Sequence, residues 1–353
     1  MNQHEFYIKR CLELAINGMP SAMPNPSVGA VIVYENKIIG EGFTSAYGGN
    51  HAEVNAIHSV KDKLLLSKST LYVSLEPCSH FGKTPPCADL IVKHKIPNVV
   101  IGTLDSNEKV AGNGIKKLKE AGINAIVGIL EKECYDLNKR FFTFHNNKRP
   151  YIILKWAETL DGFIAPIQQE SNKDTVKYKK SISISNEFSR QLVHKWRSEE
   201  QAILVGTTTV LNDNPKLDVR DWKGKNPIRV ILDKSGKITP LYNVKDTSIK
   251  TIVITEQEKT FSFDNLIYEK CIFNQELVTS ICKILYKHKI QSVFIEGGTK
   301  TLQSFIDANL WDEARIFKSD SLLGFGIKSP KIQSESTTSK FVLHDKLLTL
   351  YNL

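Results

Sequence analysis

One imidazole, one carboxylate and two thiols occur along this chain in an order that is typical of a catalytic zinc site. His51 and Glu53 come first, two positions apart, and Cys78 and Cys87 follow. One histidine and two cysteines can bind zinc and leave its fourth tetrahedral position open for water. A carboxylate that is not a ligand, here Glu53, can move protons between water and a departing amine. The chemistry that this pattern indicates is the hydrolytic removal of an amino group.

The spacing of the two cysteines departs from the usual deaminase pattern, in which two residues separate them. Eight residues separate Cys78 from Cys87. The local pattern still supports a shared site, because residues 70–76 alternate like a strand and a helix begins at Cys87. A second predicted helix begins at His51, and the positive end of a helix dipole favours a thiolate. Singly, these residues are more often capping or core residues. Together and in this order they predict a zinc centre.

The first part of the chain alternates helices and strands, which predicts a layered α/β domain with a largely parallel sheet. The predicted helices are 6–17, 51–60, 114–121 and 131–140, and the predicted strands are 28–34, one near Leu71, one near Val99 and one from Asn124. An aromatic stretch and then a polar stretch ending at Pro150 follow. We therefore predict a domain boundary there, with domains 1–147 and 148–353.

The second part again mixes strands with helices, and no internal repeat relates it to the first. The predicted strands are 151–156, 202–206, 229–232 and 292–295. Segments 155–165, 203–215 and 295–298 each run from a strand into Gly, Asp or Thr, a corner where backbone amides can meet phosphate or a nicotinamide ring. The absence of a GxGxxG sequence disfavours a standard Rossmann site. Residues 168–180 are predicted to form a mobile polar loop, and residues 334–340 an exposed segment.

The composition narrows the class of protein. The length of 353 residues predicts two domains. The chain has no apolar run of membrane-spanning length and no signal-peptide pattern, so we expect a cytoplasmic protein with no membrane partner. Six cysteines over this length do not indicate a disulfide framework. Those outside the zinc motif are expected to be ordinary thiols: Cys11, Cys134, Cys271 and Cys282.

The net charge of +9 raises the question of a nucleic-acid partner. The lysines are spread over the whole chain, as in segments 116–119 and 177–180, without the interleaved aromatic residues that favour single-strand binding. We therefore expect no nucleic-acid partner. A basic balance equally fits a phosphorylated small molecule.

The motifs of the first part resemble the deaminase half of the bifunctional riboflavin biosynthesis deaminase-reductases. The matching segments are Pro24-Asn25-Pro26-Ser-Val-Gly29, His51-Ala-Glu-Val, Leu75-Glu-Pro-Cys-Ser-His80, Gly102-Thr-Leu-Asp105 and Ala111-Gly-Asn-Gly114. The resemblance implies a cytidine-deaminase-like three-layer domain with one zinc ion per chain. It implies that His51, Cys78 and Cys87 bind the zinc and that Glu53 shuttles protons. The implied substrate contacts are Asn25, His80, Lys83, Asp105 and Asn107.

The three strand-end segments of the second part are similar to the reductase half of the same family, so the resemblance covers nearly the whole chain. It implies a dihydrofolate-reductase-like α/β domain that takes hydride from NADPH, with Asp213 as the proton donor. The implied cofactor positions are Lys155, Thr159, Asp161, Gly206, Thr207, Asp213, Gly297 and Gly298. The implied substrate positions are Arg197, Arg220 and Glu296. The two arginines would hold a phosphate through forked hydrogen bonds, or else are surface charges on a helix and a loop.

The resemblance implies an enzyme that first deaminates a phosphorylated ribosylamino-pyrimidinone and then reduces its sugar to a ribityl chain, and that forms a dimer or tetramer. Two alternatives stay open. One is a nucleoside or RNA deaminase with a C-terminal binding domain. The other is a deaminase whose second domain has no reductase activity, an alternative raised by segments 183–186 and 324–326, where the chain departs from the family pattern.

Overall fold

A computed structural model describes residues 2–81, 85–105, 112–167, 183–258 and 264–352. Lys83, Asn107 and the loop predicted over 168–180 lie outside the described residues. The chain divides into two compact units, Met1–Lys148 and Arg149–Leu353. Over the described ranges, no helix combines the length and the apolar character that crossing a bilayer requires.

The first unit is a five-stranded sheet with helices on both faces. Its elements are α1 (Gln3–Ile16), β1 (Gly29–Tyr34), β2 (Lys37–Phe43), α2 (Ala52–Ser59), a 3₁₀ helix (Lys63–Lys68), β3 (Thr70–Leu75), α3 (Cys87–Lys93), β4 (Asn98–Thr103), α4 (Asn113–Glu120), β5 (Asn124–Val127), α5 (Glu131–Leu137) and α6 (Lys139–Asn147). Side chains of α1 and α5 pack on one face of the sheet. Those of α2, α3 and α4 pack on the other. The three-layer α/β class expected from the resemblance is confirmed.

The sheet has the order β2-β1-β3-β4-β5, and only β3, β4 and β5 run parallel. Strand β1 is antiparallel to both of its neighbours, so the prediction of a largely parallel sheet was wrong for this half of the sheet. The reason is the two-residue turn at Glu35 and Asn36, which both have positive φ. Such a turn joins adjacent antiparallel strands and leaves no room for a crossover helix.

The helix predicted over 131–140 is in fact two helices that meet at Asn138. The aromatic stretch predicted to follow it belongs to α6, where Phe141, Phe142 and Phe144 are buried. The strand β2 was not predicted at all. All six cysteines are free, as expected of ordinary thiols, and the four outside the zinc motif are buried.

The second unit contains a nine-stranded sheet of order β11-β10-β9-β8-β12-β6-β13-β16-β15 and a small pair, β14-β7. Its elements are β6 (Tyr151–Glu158), β7 (Phe163–Ala165), α7 (Glu187–Glu199), β8 (Ala202–Gly206), α8 (Thr207–Asp213), β9 (Ile228–Leu232), a 3₁₀ helix (Asn243–Lys245), β10 (Thr251–Thr255), β11 (Leu266–Lys270), α9 (Leu277–Lys287), β12 (Ser292–Ile295), α10 (Thr299–Asp307), β13 (Glu313–Lys318), β14 (Ile327–Lys328), β15 (Ser336–Val342) and β16 (Asp345–Tyr351). The segment predicted as exposed, 334–340, lies largely in the exposed edge strand β15.

Seven strands of the large sheet run parallel, from β11 to β13 in the sheet order. Helices α9 and α10 pack on one face, and α7 and α8 pack on the other. From β8 the chain continues to the neighbouring strand β9, whereas from β12 it continues through α10 to β13 on the opposite side. The carboxyl ends of β8 and β12 therefore form a topological switch point, where open α/β sheets place their ligand sites.

Candidate functional site

Three potential metal ligands meet in the first unit, at the starts of two helices. His51 is the N-cap residue of α2, Cys87 is the first residue of α3, and Cys78 follows β3 by three residues. The Nδ1 atom of His51 lies 3.5 Å from the Sγ atom of Cys78 and 3.3 Å from that of Cys87. All three ligand atoms lie within 4.8 Å of one another. The structure therefore brings together the three residues predicted to bind metal.

This group fits a zinc ion. Tetrahedral coordination with Zn–S of about 2.3 Å and Zn–N of about 2.0 Å separates nitrogen from sulfur by about 3.5 Å. The two observed distances from His51, 3.5 and 3.3 Å, agree with that value. Two thiolates and one imidazole are also ligands that zinc prefers.

Two hydrogen bonds hold Cys78 and the start of α3 together, although eight residues separate Cys78 from Cys87. The backbone N–H of Cys87 donates to the Sγ atom of Cys78 over 3.3 Å, and the N–H of Ala88 donates to the carbonyl oxygen of Cys78 over 3.1 Å. The first turn of α3 is thus fixed to Cys78. Hydrogen bonds from Cys87 and from His51 lower the pKa of the Cys78 thiol, whereas the same pairing and burial raise the pKa of the Cys87 thiol, so Cys78 is the member of the pair that favours the thiolate. Cys78 and Cys87 therefore lie in one group with His51 despite their wide spacing in sequence.

Glu53 lies in the first turn of α2 and is buried beside this group. Its carboxyl interacts with the thiol of Cys87. Burial, and then the negative charge of Cys78, raise the pKa of Glu53 to about 7. A carboxyl with a pKa near neutrality can both accept and release a proton. Its position next to the metal ligands, but outside the ligand set, suits a proton shuttle.

The other described residues predicted for the deaminase pocket have different degrees of exposure. Asn25 is half-buried in the turn before β1, Asp105 is buried two residues beyond β4, and His80 is exposed two residues beyond Cys78. Their substrate contacts stay predictions. Sequence reasoning missed Asn138, whose buried side-chain amide forms two hydrogen bonds to the backbone of Ser27. No sequence pattern around Asn138 indicated that its side chain binds the backbone of Ser27, in the loop that contains Asn25.

In the second unit, several of the predicted residues lie at the switch point. Gly206 ends β8 and Thr207 begins α8, whereas Glu296, Gly297 and Gly298 connect β12 to α10. A Cβ atom on Gly206 or Gly297 would lie 2.8 Å from side-chain atoms of Thr301. Glycine at these two positions therefore allows the two strand ends and the start of α10 to pack closely.

A partly buried ion cluster, with side chains 11–15% exposed, lies beside the switch point. The Nε and Nη2 atoms of Arg197 bind the two carboxylate oxygens of Glu296 at 2.7 and 2.9 Å, and the Nζ atom of Lys155 lies 3.6 Å from the same carboxylate. Burial alone would raise the pKa of Glu296, but the two cations outweigh it and lower the pKa to about 2. The forked donors of Arg197 are thus already bound to Glu296, and its Nη1 atom donates to the carbonyl oxygen of Asp218.

The remaining predicted reductase residues lie in three other segments of the second unit: after β6, at the end of α8 and in the loop that follows α8. Thr159 and Asp161 follow β6, and the carboxylate of Asp161 accepts hydrogen bonds from the backbone N–H groups of Leu323 and Gly324. Asp213 is an exposed residue at the end of α8. Desolvation by neighbouring protein atoms nevertheless raises the pKa of its carboxyl. Arg220 is exposed and forms an ion pair with Asp218. Their contacts with cofactor or substrate stay predictions.

The folds and the metal group define a zinc-dependent deaminase domain followed by a reductase domain. Residues 1–103 match the family model described as cytidine and deoxycytidylate deaminase zinc-binding region. Residues 150–349 match the family model described as RibD C-terminal domain. The second match disfavours an RNA-binding role for the C-terminal half.

Curated relatives named riboflavin biosynthesis protein RibD match most of the chain. The protein of Aquifex aeolicus is 39% identical over 91% of this chain and 88% of the relative, and that of Escherichia coli is 33% identical over 91% and 89%. The crystal structure of a diaminohydroxyphosphoribosylaminopyrimidine deaminase/5-amino-6-(5-phosphoribosylamino)uracil reductase from Thermotoga maritima is 38% identical, with a TM-score of 0.85 over 99% of this chain and 98% of that one. A RibD structure from Acinetobacter baumannii is 30% identical, with a TM-score of 0.84 over 99% and 98%.

This chain belongs to the RibD family, the bifunctional deaminase-reductases of riboflavin biosynthesis. The family resemblance inferred from the motifs is confirmed, and so is the prediction of an enzyme with a zinc-dependent deaminase activity and an NADPH-dependent reductase activity.

Proposed function

We propose that domain 1–147 replaces the ring amine of 2,5-diamino-6-(5-phosphoribosylamino)pyrimidin-4-one with oxygen, releasing ammonia. We propose further that domain 148–353 reduces the ribosyl group of the product to ribityl. The observation that carries the proposal is the convergence of His51, Cys78 and Cys87 beside the buried carboxyl of Glu53. The name of the Thermotoga maritima enzyme supplies the substrate and the order of the two reactions.

In the first site, zinc supplies Lewis-acid activation of water when it is bound. Glu53 takes a proton at its carboxylate and delivers it to the amine nitrogen that leaves. Its place in the first turn of α2, one residue beyond Ala52 and two beyond His51, fixes its distance from the metal ligands. The proposed substrate contacts are those carried over from the family: Asn25, His80, Lys83, Asp105 and Asn107.

In the second site, NADPH supplies hydride when it is bound, and the opened sugar must also receive a proton. Asp213 lies at the end of the helix that follows β8, where an exposed carboxyl can exchange protons with solvent. Gly206, Gly297 and Gly298 are proposed to border the cofactor, because they lie where β8 and β12 end and two helices begin. Thr159, Asp161 and Thr207 are proposed to border the same cofactor.

The charged groups of the second site are proposed to face the substrate's polar end. Lys155 lies within β6, one residue beyond the pairing of β6 with β12, and Glu296 directly follows β12. Arg197 forms an ion pair with Glu296. Arg220 is exposed and can reach a phosphate, since its pairing with Asp218 is a surface ion pair of small net strength. The Nε and Nη2 atoms of Arg197 bind Glu296, so only the N–H groups of Arg197 outside that pairing would contact phosphate.

We also propose a cytoplasmic homo-oligomer, a dimer or tetramer, with a phosphorylated pyrimidine as its small-molecule partner and no nucleic-acid or membrane partner. The six free cysteines are consistent with a reducing compartment.

Mass spectrometry of the pyrimidine phosphate incubated with zinc-loaded protein, with and without NADPH, tests both activities. We expect exchange of amine for oxygen in either case, and a further gain of two hydrogens only with NADPH. An unchanged substrate mass would overturn the deaminase proposal. Exchange without reduction would overturn the reductase proposal and support the alternative in which the second domain only binds.

A further inference from the structure

Glu76 is a buried acidic residue to which the proposed mechanism gives no role. It follows β3 directly and stands two residues before the zinc ligand Cys78. Its backbone N–H donates to the carbonyl oxygen of Thr103 over 3.0 Å, so it continues the pairing of β3 with β4. Its side chain is 3% exposed and is therefore held entirely by protein groups.

The carboxylate of Glu76 accepts hydrogen bonds from four backbone N–H groups. Its Oε2 atom accepts from Asp105 at 3.3 Å and from Gly112 at 3.0 Å. Its Oε1 atom accepts from Gly114 at 3.0 Å and from Ile115 at 3.3 Å. Gly112 is the N-cap residue of α4, so three of these donors belong to a helix start, where N–H groups lack partners within the helix and a negative charge is favourable.

These four bonds join three parts of the first site. Asp105, a proposed substrate contact, lies just beyond β4, and Gly112 begins the chain that leads into α4. The backbone N–H groups of both residues donate to the Oε2 atom of Glu76, which lies between β3 and Cys78. The packing is tight at this point, because a Cβ atom on Gly114 would lie 2.1 Å from the carbonyl oxygen of Pro77. The start of α4 thus lies directly against the backbone next to the metal ligand.

We propose that Glu76 is a positioning residue for deamination. It sets the distance between the backbone of Asp105 and the zinc ligands, and so fixes the wall against which the pyrimidine must bind. This inference rests on the deaminase function proposed above. Glu76 acts through Asp105 and α4, so its loss weakens substrate binding more than it slows the chemical step that Glu53 serves.

The variant Glu76→Gln tests this inference. An amide keeps the size of the side chain but removes the charge, and its NH2 group faces two N–H donors that it cannot accept from. We expect the KM for the pyrimidine phosphate to rise about tenfold and kcat to change by no more than about threefold. Zinc content and NADPH-dependent reduction, measured on the same full-length protein, should equal those of the wild type. Glu120→Gln, on the exposed end of α4, is the matched control and should change nothing.

Hydrogen exchange gives a readout that does not depend on turnover. In Glu76→Gln the backbone amides of residues 112–115 should exchange at least about tenfold faster, while those of β3 and β4 stay as protected as in the wild type. Glu76→Asp keeps the charge and should recover part of the KM. Unchanged KM and exchange would overturn the inference, as would a parallel loss of zinc, kcat and strand protection, which would indicate a general role in folding. If the wild type did not deaminate the pyrimidine at all, the proposed function would fail, and the exchange pattern would still report on the contacts of Glu76.

Discussion

The side-chain amide of Asn138 pairs with the backbone of Ser27, a residue 111 positions earlier. Its Oδ1 atom accepts from the N–H of Ser27 at 2.8 Å, and its Nδ2 atom donates to the carbonyl oxygen of Ser27 at 2.9 Å. Both residues are buried. The pair fixes the chain just after Asn25, and it uses the residue at which α5 gives way to α6.

Replacing Asn138 by alanine should destabilise the first domain. Two buried backbone groups of Ser27 would lose their partners, at a cost of about 1–3 kcal/mol. We expect the unfolding transition of the first domain to move to lower denaturant concentration, followed by far-ultraviolet circular dichroism, and the KM for deamination to rise because the loop of Asn25 is freed. Asn146→Ala, at an exposed position of the same helix α6, is the control. If both variants unfold at the wild-type midpoint, the pair does not support the loop.

Glu53→Gln should abolish deamination without loss of metal. Glutamine fills the same space but cannot carry the proton, and general acid–base catalysis contributes about 10²–10⁴ in rate. We therefore expect kcat for deamination to fall by at least about 10²-fold, with zinc per chain and NADPH-dependent reduction unchanged. Glu133→Gln, an exposed residue of α5, is the control. Full deaminase activity in zinc-loaded Glu53→Gln would falsify the assigned role.

The elements that carry the first site could be predicted because their own residues define them. His51 and Cys87 stand at helix starts and Cys78 follows an alternating strand, so the local pattern was sufficient to place the three proposed ligands on these elements. Their meeting point was predicted from the known donor set of zinc rather than from the fold. The structure adds the hydrogen bond from Cys87 to Cys78 that makes the long spacing work.

Strand β2 shows why other parts could not be predicted. It contains Gly40 and Gly42, which weaken any strand pattern in the sequence. A Cβ atom at Gly42 would lie 2.4 Å from the backbone nitrogen of Ala56, and one at Gly40 would lie 2.6 Å from its carbonyl oxygen. Glycine at these two positions allows α2, the helix that contains Glu53, to pack directly against the strand. Tertiary packing therefore selects glycines that weaken the strand pattern of β2. The roles of Glu76 and Asn138 could not be predicted for a related reason, because their hydrogen-bond partners are distant in sequence.

Removing one zinc ligand should separate the two activities. We expect Cys87→Ser to lower zinc content well below one per chain and to abolish deamination, because serine is a poor zinc ligand and catalytic sites have only three protein ligands. Reduction by NADPH should continue, since the second unit has its own core. Zinc is measured by atomic absorption after gel filtration. Cys134→Ser is the control, because Cys134 is a buried free thiol outside the metal group. Wild-type zinc content in Cys87→Ser would contradict the ligand assignment.

The ion cluster of the second domain should make its stability depend on acid pH. The folded pKa of Glu296 is about 2, below its ordinary value of 4.5, so its contribution to stability is complete above pH 4.5 and is lost as the pH falls towards 2. Glu296→Gln leaves Arg197 and Lys155, whose side chains are only 12% and 15% exposed, without their counter-charge. Breaking a buried pair costs about 3–5 kcal/mol, and we expect the second domain to be less stable by that order at pH 7.

Chemical unfolding at pH 7, 5, 4 and 3, followed by tryptophan fluorescence, measures this dependence, because all four tryptophans of the chain lie in the second unit. The wild type should lose stability steadily below pH 4.5, and the difference between wild type and Glu296→Gln should shrink over the same interval, because protonation of Glu296 removes the charge that the variant already lacks. Glu258→Gln removes an acidic group that is 81% exposed, and should follow the wild type at every pH. A constant difference between wild type and Glu296→Gln down to pH 3 would show that the carboxylate of Glu296 is not what the two cations stabilise.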